Sequence, residues 1–143
     1  VICILDHPLK DTYNAKSVQI IIPQNQANRK NDIYICMTSN THIVCPKDKY
    51  IAIVSTTVET ENPEKEVELG LQYISPILEK FVYILDTYEP IADGKQDKCF
   101  ISKSYDASTH YESCAEDIVS MYQRITGAPF PWDKKPPAAE NSE

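Results

Sequence analysis

The residues that could support catalysis lie together in one short segment, Tyr105-Asp-Ala-Ser-Thr-His-Tyr111. Asp106, Ser108 and His110 are the side-chain types of an acyl-transfer triad. A serine nucleophile also needs a strained turn and an oxyanion hole, and no glycine stands near Ser108 to permit that turn. Asp and Ser ahead of a helix usually cap it or form turns. The segment therefore predicts a turn rather than a hydrolase site, and the chain is predicted not to be an enzyme.

A metal site is the second candidate, because His42 and Cys45 have a spacing that metal ligands use. A structural zinc ion needs about four ligands. His7, His110 and the other cysteines supply no second pair. The chain has only three glycines and no glycine-rich phosphate-binding motif. The sequence thus predicts neither a metal nor a cofactor.

Two charged segments could contact a partner. Asn28-Arg-Lys-Asn31 is a small basic point that could contact an acidic or phosphorylated partner, or simply be a solvated loop. An acidic run opposed only by Lys65 could dock a basic protein, although such runs usually form a solvated helix face. This run contains five glutamates within ten residues: Glu59, Glu61, Glu64, Glu66 and Glu68.

Composition excludes several classes of protein. The 143 residues include 14 basic and 21 acidic side chains, for a formal net charge of -7, which argues against a nucleic-acid partner. No apolar run approaches the roughly 20 residues of a membrane helix, so no stable membrane insertion is predicted. Five cysteines at irregular spacing favour free thiols in a reducing, intracellular compartment. Cys3, Cys36 and Cys99 stand in apolar runs and are expected to behave as small hydrophobes.

The elements that would position these residues begin with strands. Ile33–Met37 is apolar on both faces, which predicts an interior position in a sheet. The run Tyr50–Val58 is rich in β-branched residues and is expected to enter the core and emerge at an edge. Six strands are predicted: Val1–Leu5, Val18–Ile22, Ile33–Met37, Tyr50–Val58, Phe81–Leu85 and Cys99–Tyr105, with a turn at Asp93-Gly94 before the last.

The first of two main helices is predicted to begin with Asn62 as N-cap and Pro63 at its first position. Pro76 must kink or end it. Its apolar residues recur at helical spacing and form one face: Val67, Leu71, Ile74 and Leu78.

The second helix, near 114–126, is predicted from a capping-box pair, Ser113 and Glu116, and from Gly127 as its C-terminal stop. The order of strands, helix, strands and helix predicts a mixed α/β (α+β) architecture. Residues 1–127 are predicted to form the folded part, and 128–143 a Pro-rich, partly disordered tail with Phe130 and Trp132 docked.

Long segments of the sequence then carry a resemblance to a known family. They are Ile20-Ile-Ile-Pro-Gln-Asn-Gln26, Asn28-Arg-Lys-Asn-Asp-Ile-Tyr-Ile-Cys-Met37, Lys49-Tyr-Ile-Ala-Ile-Val-Ser-Thr-Thr-Val-Glu-Thr60, Pro63-Glu-Lys-Glu66 and Tyr105-Asp-Ala-Ser-Thr-His110. In these segments the chain resembles the Rab GDP dissociation inhibitor family, from about Val1 to about Pro131. It departs from the family pattern around Asn40 to Lys49 and after Phe130.

The resemblance implies the C-terminal third of such a protein, belonging to a large domain related to flavoproteins of the FAD/NAD(P)-binding type. It also implies that the helix near 114–126 packs against the sheets of that domain. It implies no use of flavin as an enzyme. It further implies binding of GDP-bound, prenylated Rab GTPases, slower GDP release, and recycling of Rabs between membrane and cytosol by a cytoplasmic protein with transient membrane association. The family's Rab-binding platform and prenyl pocket would lie upstream, so no Rab-binding residue is assigned to this chain.

The resemblance also implies that the opening strand Val1–Leu5 pairs with strands upstream of this chain. The isolated chain is therefore expected to be unstable or sticky. Two alternatives remain open: a Rab escort protein that presents Rabs for prenylation, and a stand-alone adaptor that uses the acidic run. An adaptor of this kind would ignore the lipid and bind less tightly as salt increases.

Overall fold

The computed structural model of the chain describes residues 1–107 and 111–133. The chain divides into two compact units. The first unit is Val1–Asp86 with the short stretch that starts at Asp106, and the second is Thr87–Tyr105 with the chain from Tyr111.

The first unit is built on a five-stranded antiparallel sheet in the order β2-β3-β4-β1-β5. β3 is an interior strand, as its two apolar faces predict, because Ile35 lies opposite Ile20 on one side and Val54 on the other. Together with four helices in the described residues, this sheet confirms the mixed α/β class. The strands are β1 Ile2–Leu5, β2 Ser17–Ile22, β3 Ile33–Ser39, β4 Tyr50–Ser55 and β5 Glu79–Phe81.

The opening strand β1 has partners on both sides within this chain. Cys3 lies opposite Ala52 of β4 and Lys80 of β5. The expectation that the neighbours of β1 lie upstream is therefore wrong. The isolated chain is therefore not expected to be unstable for lack of a partner strand beside β1. Composition could not reveal this pairing, because β1 contacts residues far along the chain.

The fourth strand is shorter and more central than its sequence predicts. The expected strand Tyr50–Val58 ends at Ser55 and lies between β3 and β1, so the predicted emergence at an edge is wrong. The chain leaves the sheet at Thr56, whose hydroxyl donates a 2.8 Å hydrogen bond to the carbonyl oxygen of Asp32.

One face of the sheet forms the hydrophobic core, under the helix α3, Glu68–Ile74. Gly70 lets this helix approach closely, because a Cβ atom at Gly70 would lie 2.6 Å from Cγ1 of Val54. Ile74 of α3 is fully buried. The strands contribute seven fully buried side chains to this core: Cys3, Leu5, Ile33, Ile35, Met37, Ala52 and Val54.

The opposite face of the sheet is also apolar but only partly covered. One row of side chains in register crosses four strands from β3 to β5. Its members are Cys36, Ile53, Ile2 and Phe81, and the last three are 44%, 36% and 45% exposed. This face is therefore an apolar surface that the chain itself leaves partly open.

The first predicted helix is divided into two short ones. A short helix α1, Gln24–Ala27, precedes it in the chain, and α2, Pro63–Glu66, is followed by α3. α3 ends at Ile74, before Pro76, as predicted. Asn62 precedes α2, but its side chain makes no capping hydrogen bond. Leu78 lies beyond the helix and is 48% exposed, so its predicted place on the buried helical face is wrong.

The second unit contains the long helix α4, Glu112–Thr126. Gly127 ends it with φ of +73°, as predicted. The predicted capping box is wrong, because Tyr111 is the N-cap and Ser113 lies inside the first turn. No residue of α4 is buried. The expected packing of its apolar face against the sheet stays a prediction. The apolar residues Ile118 and Ile125 of this face are more than half exposed.

The two strands predicted between β4 and α4 are largely absent. β5 covers only Glu79–Phe81, and residues 99–105 form no strand. Tyr88 and Ser104 are joined by two 2.9 Å hydrogen bonds instead of a ladder. Cys99 is exposed, contrary to its expected behaviour as a small hydrophobe. The predicted turn is present, with Gly94 at φ of +80°.

The start of the predicted tail packs on α4. The ring of Phe130 lies 5.1 Å from that of Tyr122 and 4.7 Å from that of Trp132. Trp132 is nevertheless 73% exposed. The remainder of the tail, residues 134–143, lies outside the described residues, so its predicted disorder stays a prediction.

Candidate functional site

The basic point and the acidic run predicted from the sequence meet in one buried cluster. Arg29, from the loop after α1, has a side chain that is only 9% exposed. Its Nη2 lies 2.8 Å from Oε2 of Glu66 and 3.3 Å from Oε1 of Glu59. The same nitrogen donates to the carbonyl oxygen of Thr57 at 2.9 Å. We call Arg29, Glu59 and Glu66 the arginine cluster.

Glu59 is held mainly by the loop that carries Arg29. The backbone N–H of Asn31 donates to Oε1 at 2.7 Å, and its side-chain amide donates to the same oxygen at 3.0 Å. The backbone N–H of Lys30 donates to both carboxylate oxygens. Glu59 therefore ties the loop 28–31 to the chain that follows β4.

Glu66 of α2 is the more deeply placed carboxylate, with a side chain 5% exposed. The backbone N–H groups of Glu59 and Thr60 donate to it at 2.9 Å and 2.6 Å. The hydroxyl of Thr60 donates to the same carboxylate. Every donor comes from the segment before α2 or from Arg29, so this carboxylate fixes where the helix begins.

The protonation of the two carboxylates follows from these contacts. Burial raises the pKa of Glu66, but hydrogen bonds from Thr60, Arg29 and the backbone outweigh it and bring the pKa down to about 2. Burial likewise raises the pKa of Glu59, and the hydrogen bonds from Asn31 and Lys30 bring it below its usual value. Both groups are ionised at neutral pH, and the cluster has a formal charge of about -1.

We expect the stability of the fold to depend on this ionisation at acid pH. A carboxylate whose pKa is depressed in the folded state contributes stability that is complete above its unfolded pKa. For Glu66 that contribution is lost as pH falls from about 4.5 to about 2. Urea unfolding over this range should show a steep loss of stability in the parent chain and a shallower one in Glu66→Gln.

Glu64→Gln is the matched control, because the side chain of Glu64 is 64% exposed. Its pH profile should follow that of the parent chain. Equal slopes for the parent chain and Glu66→Gln would contradict the role assigned to Glu66.

The arginine cluster changes the interpretation of both charged segments. The guanidinium of Arg29, in the predicted basic point, is buried. Two of the five glutamates of the acidic run, Glu59 and Glu66, form ion pairs with it. Glu61, Glu64 and Glu68 remain exposed. The cluster contains no nucleophile, and both of its carboxylates are ionised at neutral pH. Its role is therefore structural: it holds the surrounding loops in position. The pairing of Arg29 with Glu66 has no local sequence signal, since 37 positions separate them.

The predicted turn around Asp106 is only partly described. The hydroxyl of Ser55, at the end of β4, donates a 2.9 Å hydrogen bond to the carbonyl oxygen of Ala107. This contact anchors the stretch to the first unit. Ser108 and His110 lie outside the described residues, so the structure does not bring the three candidate triad residues together.

The metal candidates His42 and Cys45 lie in the loop between β3 and β4. His42 ends a 3₁₀ turn, Asn40–His42, and the thiol of Cys45 donates to the carbonyl oxygen of Lys49 at 3.0 Å. In the part of the chain that the structure describes, no three His, Cys, Asp or Glu side chains form a metal-binding group. All five cysteines, which lie in that part, are free thiols. None of the described helices has the length and apolar character required to cross a bilayer.

Comparison with known proteins gives one consistent family. The family model for GDP dissociation inhibitors matches residues 1–136. The chain is 54% identical over 134 residues to Rab GDP dissociation inhibitor beta of Rattus norvegicus, and 53% identical over 134 residues to the protein of that name from Canis lupus familiaris. Each match covers 94% of this chain and 30% of the relative.

The fold matches a solved structure as well. A crystal structure of a Rab GDI from Plasmodium falciparum superimposes with a TM-score of 0.83 at 45% identity, covering 92% of this chain and 30% of that one. The chain thus spans about 30% of the length of the proteins it matches.

Proposed function

Because the chain belongs to the GDP dissociation inhibitor family, we propose that it forms part of a Rab GDP dissociation inhibitor. The complete protein binds Rab GTPases in their prenylated, GDP-bound form, slows GDP release and recycles them between membrane and cytosol. It works in the cytoplasm with transient membrane association and is a regulator rather than an enzyme. The observation that carries the proposal is 54% identity over 134 residues to a protein of that name.

Within that protein, this chain serves as scaffold in the C-terminal part of a flavoprotein-like large domain that uses no flavin. Its antiparallel sheet and the arginine cluster fix loops at one end of the domain. The apolar row from Cys36 to Phe81 is then covered by the polypeptide that the relatives have beyond the matched region. Rab contacts and the prenyl pocket are contributed by that polypeptide.

The two alternatives, a Rab escort protein and an acidic adaptor, can be distinguished by measurement. A Rab escort protein would present unprenylated Rab to a prenyltransferase. An acidic adaptor would depend on the glutamate run, but Glu59 and Glu66 are turned inward onto Arg29. That contact weakens the adaptor alternative, because the remaining acidic face has three exposed glutamates.

The proposal is tested with a chimera of the rat relative in which the 134-residue matched region is replaced by the corresponding region of this chain. We expect the chimera to slow the release of a fluorescent GDP analogue from prenylated Rab to within about threefold of the parental inhibitor, since about half of the exchanged residues are identical. Unprenylated Rab, as the control, should be affected far less.

A chimera that unfolds cooperatively near the temperature of the parent, yet fails to slow GDP release, would count against the proposal. Efficient support of Rab prenylation by the same chimera would favour the escort alternative. Binding that ignores the prenyl group and is lost at high salt would favour the adaptor.

A further inference from the structure

The sheet brings two loops together at one of its ends. Leu5, which ends β1, and Ser39, which ends β3, both lie opposite Tyr50, which begins β4. Ser17, which begins β2, lies opposite Thr38. The segments 6–16 and 40–49 therefore leave and enter the sheet at the same end, which we call the loop end.

Apolar side chains stand in solvent on both of these loops. Tyr13 is fully exposed, Ile43 is 95% exposed and Val44 is 51% exposed. Tyr13 and Ile43 also have left-handed backbone conformations, with φ of +53° and +60°. A β-branched residue rarely adopts this conformation, which favours glycine or asparagine. At Ile43 the sequence thus accepts backbone strain while leaving an apolar side chain uncovered, and such local conflicts mark functional positions.

The same loops differ in charge from the rest of the chain. They carry four lysines and three aspartates, a formal charge of +1 in a chain of net charge -7. The lysines are Lys10, Lys16, Lys47 and Lys49, and the aspartates are Asp6, Asp11 and Asp48. The opposite end of the sheet carries the glutamate run, so an anionic surface is approached most favourably by the loop end.

We propose that the loop end binds the surface of an anionic phospholipid bilayer. Tyr13, Ile43 and Val44 enter the headgroup region, and the lysines contact lipid phosphates. A bilayer fits better than a second copy of the chain, because two like-charged loop ends repel each other. The apolar residues lie on two different loops, with Tyr13 on one and Ile43 and Val44 on the other. The proposal does not depend on Rab binding.

The experiment measures co-sedimentation of the 143-residue chain with vesicles of phosphatidylcholine alone or mixed with phosphatidylserine. The parent chain should bind the mixed vesicles and bind the neutral ones far less. Ile43→Asn should reduce binding about fivefold or more, because it removes an apolar side chain from the interface. The same substitution should raise the midpoint of thermal unfolding by a few degrees, since asparagine accepts the left-handed conformation.

Val58→Asn is the matched control, because Val58 is 49% exposed and follows β4 at the opposite end of the sheet. Its binding should equal that of the parent chain. The double variant Lys47→Glu with Lys49→Glu should lose the preference for phosphatidylserine.

Three results would overturn the proposal: equal sedimentation with both kinds of vesicle, unchanged binding of Ile43→Asn, or an equal loss in Val58→Asn. Self-association of the parent chain without vesicles that Ile43→Asn abolishes would assign the loop end to a second copy, and so would also overturn it. GDP release from Rab, measured without lipid in the chimera described above, should be the same with or without Ile43→Asn. A failure of lipid binding is thereby distinguished from a failure of the proposed function.

Discussion

Replacing Arg29 by methionine should lower the free energy of unfolding by about 3–5 kcal/mol, the range for breaking a buried ion pair from one side. Methionine fills much of the space but leaves the carboxylates of Glu59 and Glu66 without their countercharge. The carbonyl oxygen of Thr57 also loses a donor. Urea unfolding of the 143-residue chain at neutral pH measures the change.

The comparison is an exposed ion pair in the same unit. Nζ of Lys80 lies 3.7 Å from Oε2 of Glu64, and the two side chains are 42% and 64% exposed. Lys80→Met should therefore change the stability by less than about 0.5 kcal/mol. Combining Arg29→Met with Glu66→Gln should recover part of the loss, because one uncompensated charge disappears. A loss for Arg29→Met as small as that for Lys80→Met would show that the arginine cluster is not structural.

Gly70→Leu should lower the free energy of unfolding by about 3 kcal/mol, through overpacking between α3 and the sheet. A Cβ atom at this position would lie 2.6 Å from Cγ1 of Val54 and 3.0 Å from Cγ2 of Ile33. Both neighbours are β-branched side chains on buried strands, and neither can rotate away without disturbing the core. Thermal or urea unfolding gives the measurement.

A double substitution isolates the steric cause. Gly70→Ala adds only the Cβ atom, and Val54→Ala removes the Cγ1 atom that it would contact. The double variant should be more stable than the sum of the two single effects predicts, by about 1 kcal/mol. Strictly additive effects would mean that the close approach of α3 to β4 does not depend on the missing side chain of Gly70.

Local patterns predicted the elements whose partners lie close in sequence or whose burial is complete. Ile33–Met37 is apolar on both faces, and it forms an interior strand with an antiparallel neighbour just before it. Residues 99–105 alternate like a strand, but they form no ladder. Ser104 is bonded to Tyr88, and the N–H groups of Cys99 and Lys103 donate to the side chains of Asp97 and Asp117. Strand propensity reflects how well a side chain packs on a half-buried sheet surface. A segment that has no such surface to pack on does not form a strand, even when its residues favour one.

The arginine cluster shows why the candidate sites could not be predicted in full. The sequence presents Arg29 in a polar loop and Glu66 in the first turn of a helix, and each has an ordinary local explanation. Their contact depends on the path of the chain after β4, which no spacing rule describes.

The predicted capping pair, Ser113 and Glu116, was wrong for a different reason. Its spacing was correct, but α4 begins at Glu112, so the hydroxyl lies inside the helix rather than before it.

The pairing of β1 with β4 and β5 has a consequence for synthesis on the ribosome. β1 is made before both of its neighbours, the last of which is Glu79–Phe81. The hairpins of β2, β3 and β4 can form as they emerge, whereas β1 must wait and then insert between two strands. During that interval Ile2, Ile4 and Leu5 belong to an apolar strand that has no partner. A chaperone that binds short apolar segments of nascent chains would find a target in β1 until β4 and β5 have been made.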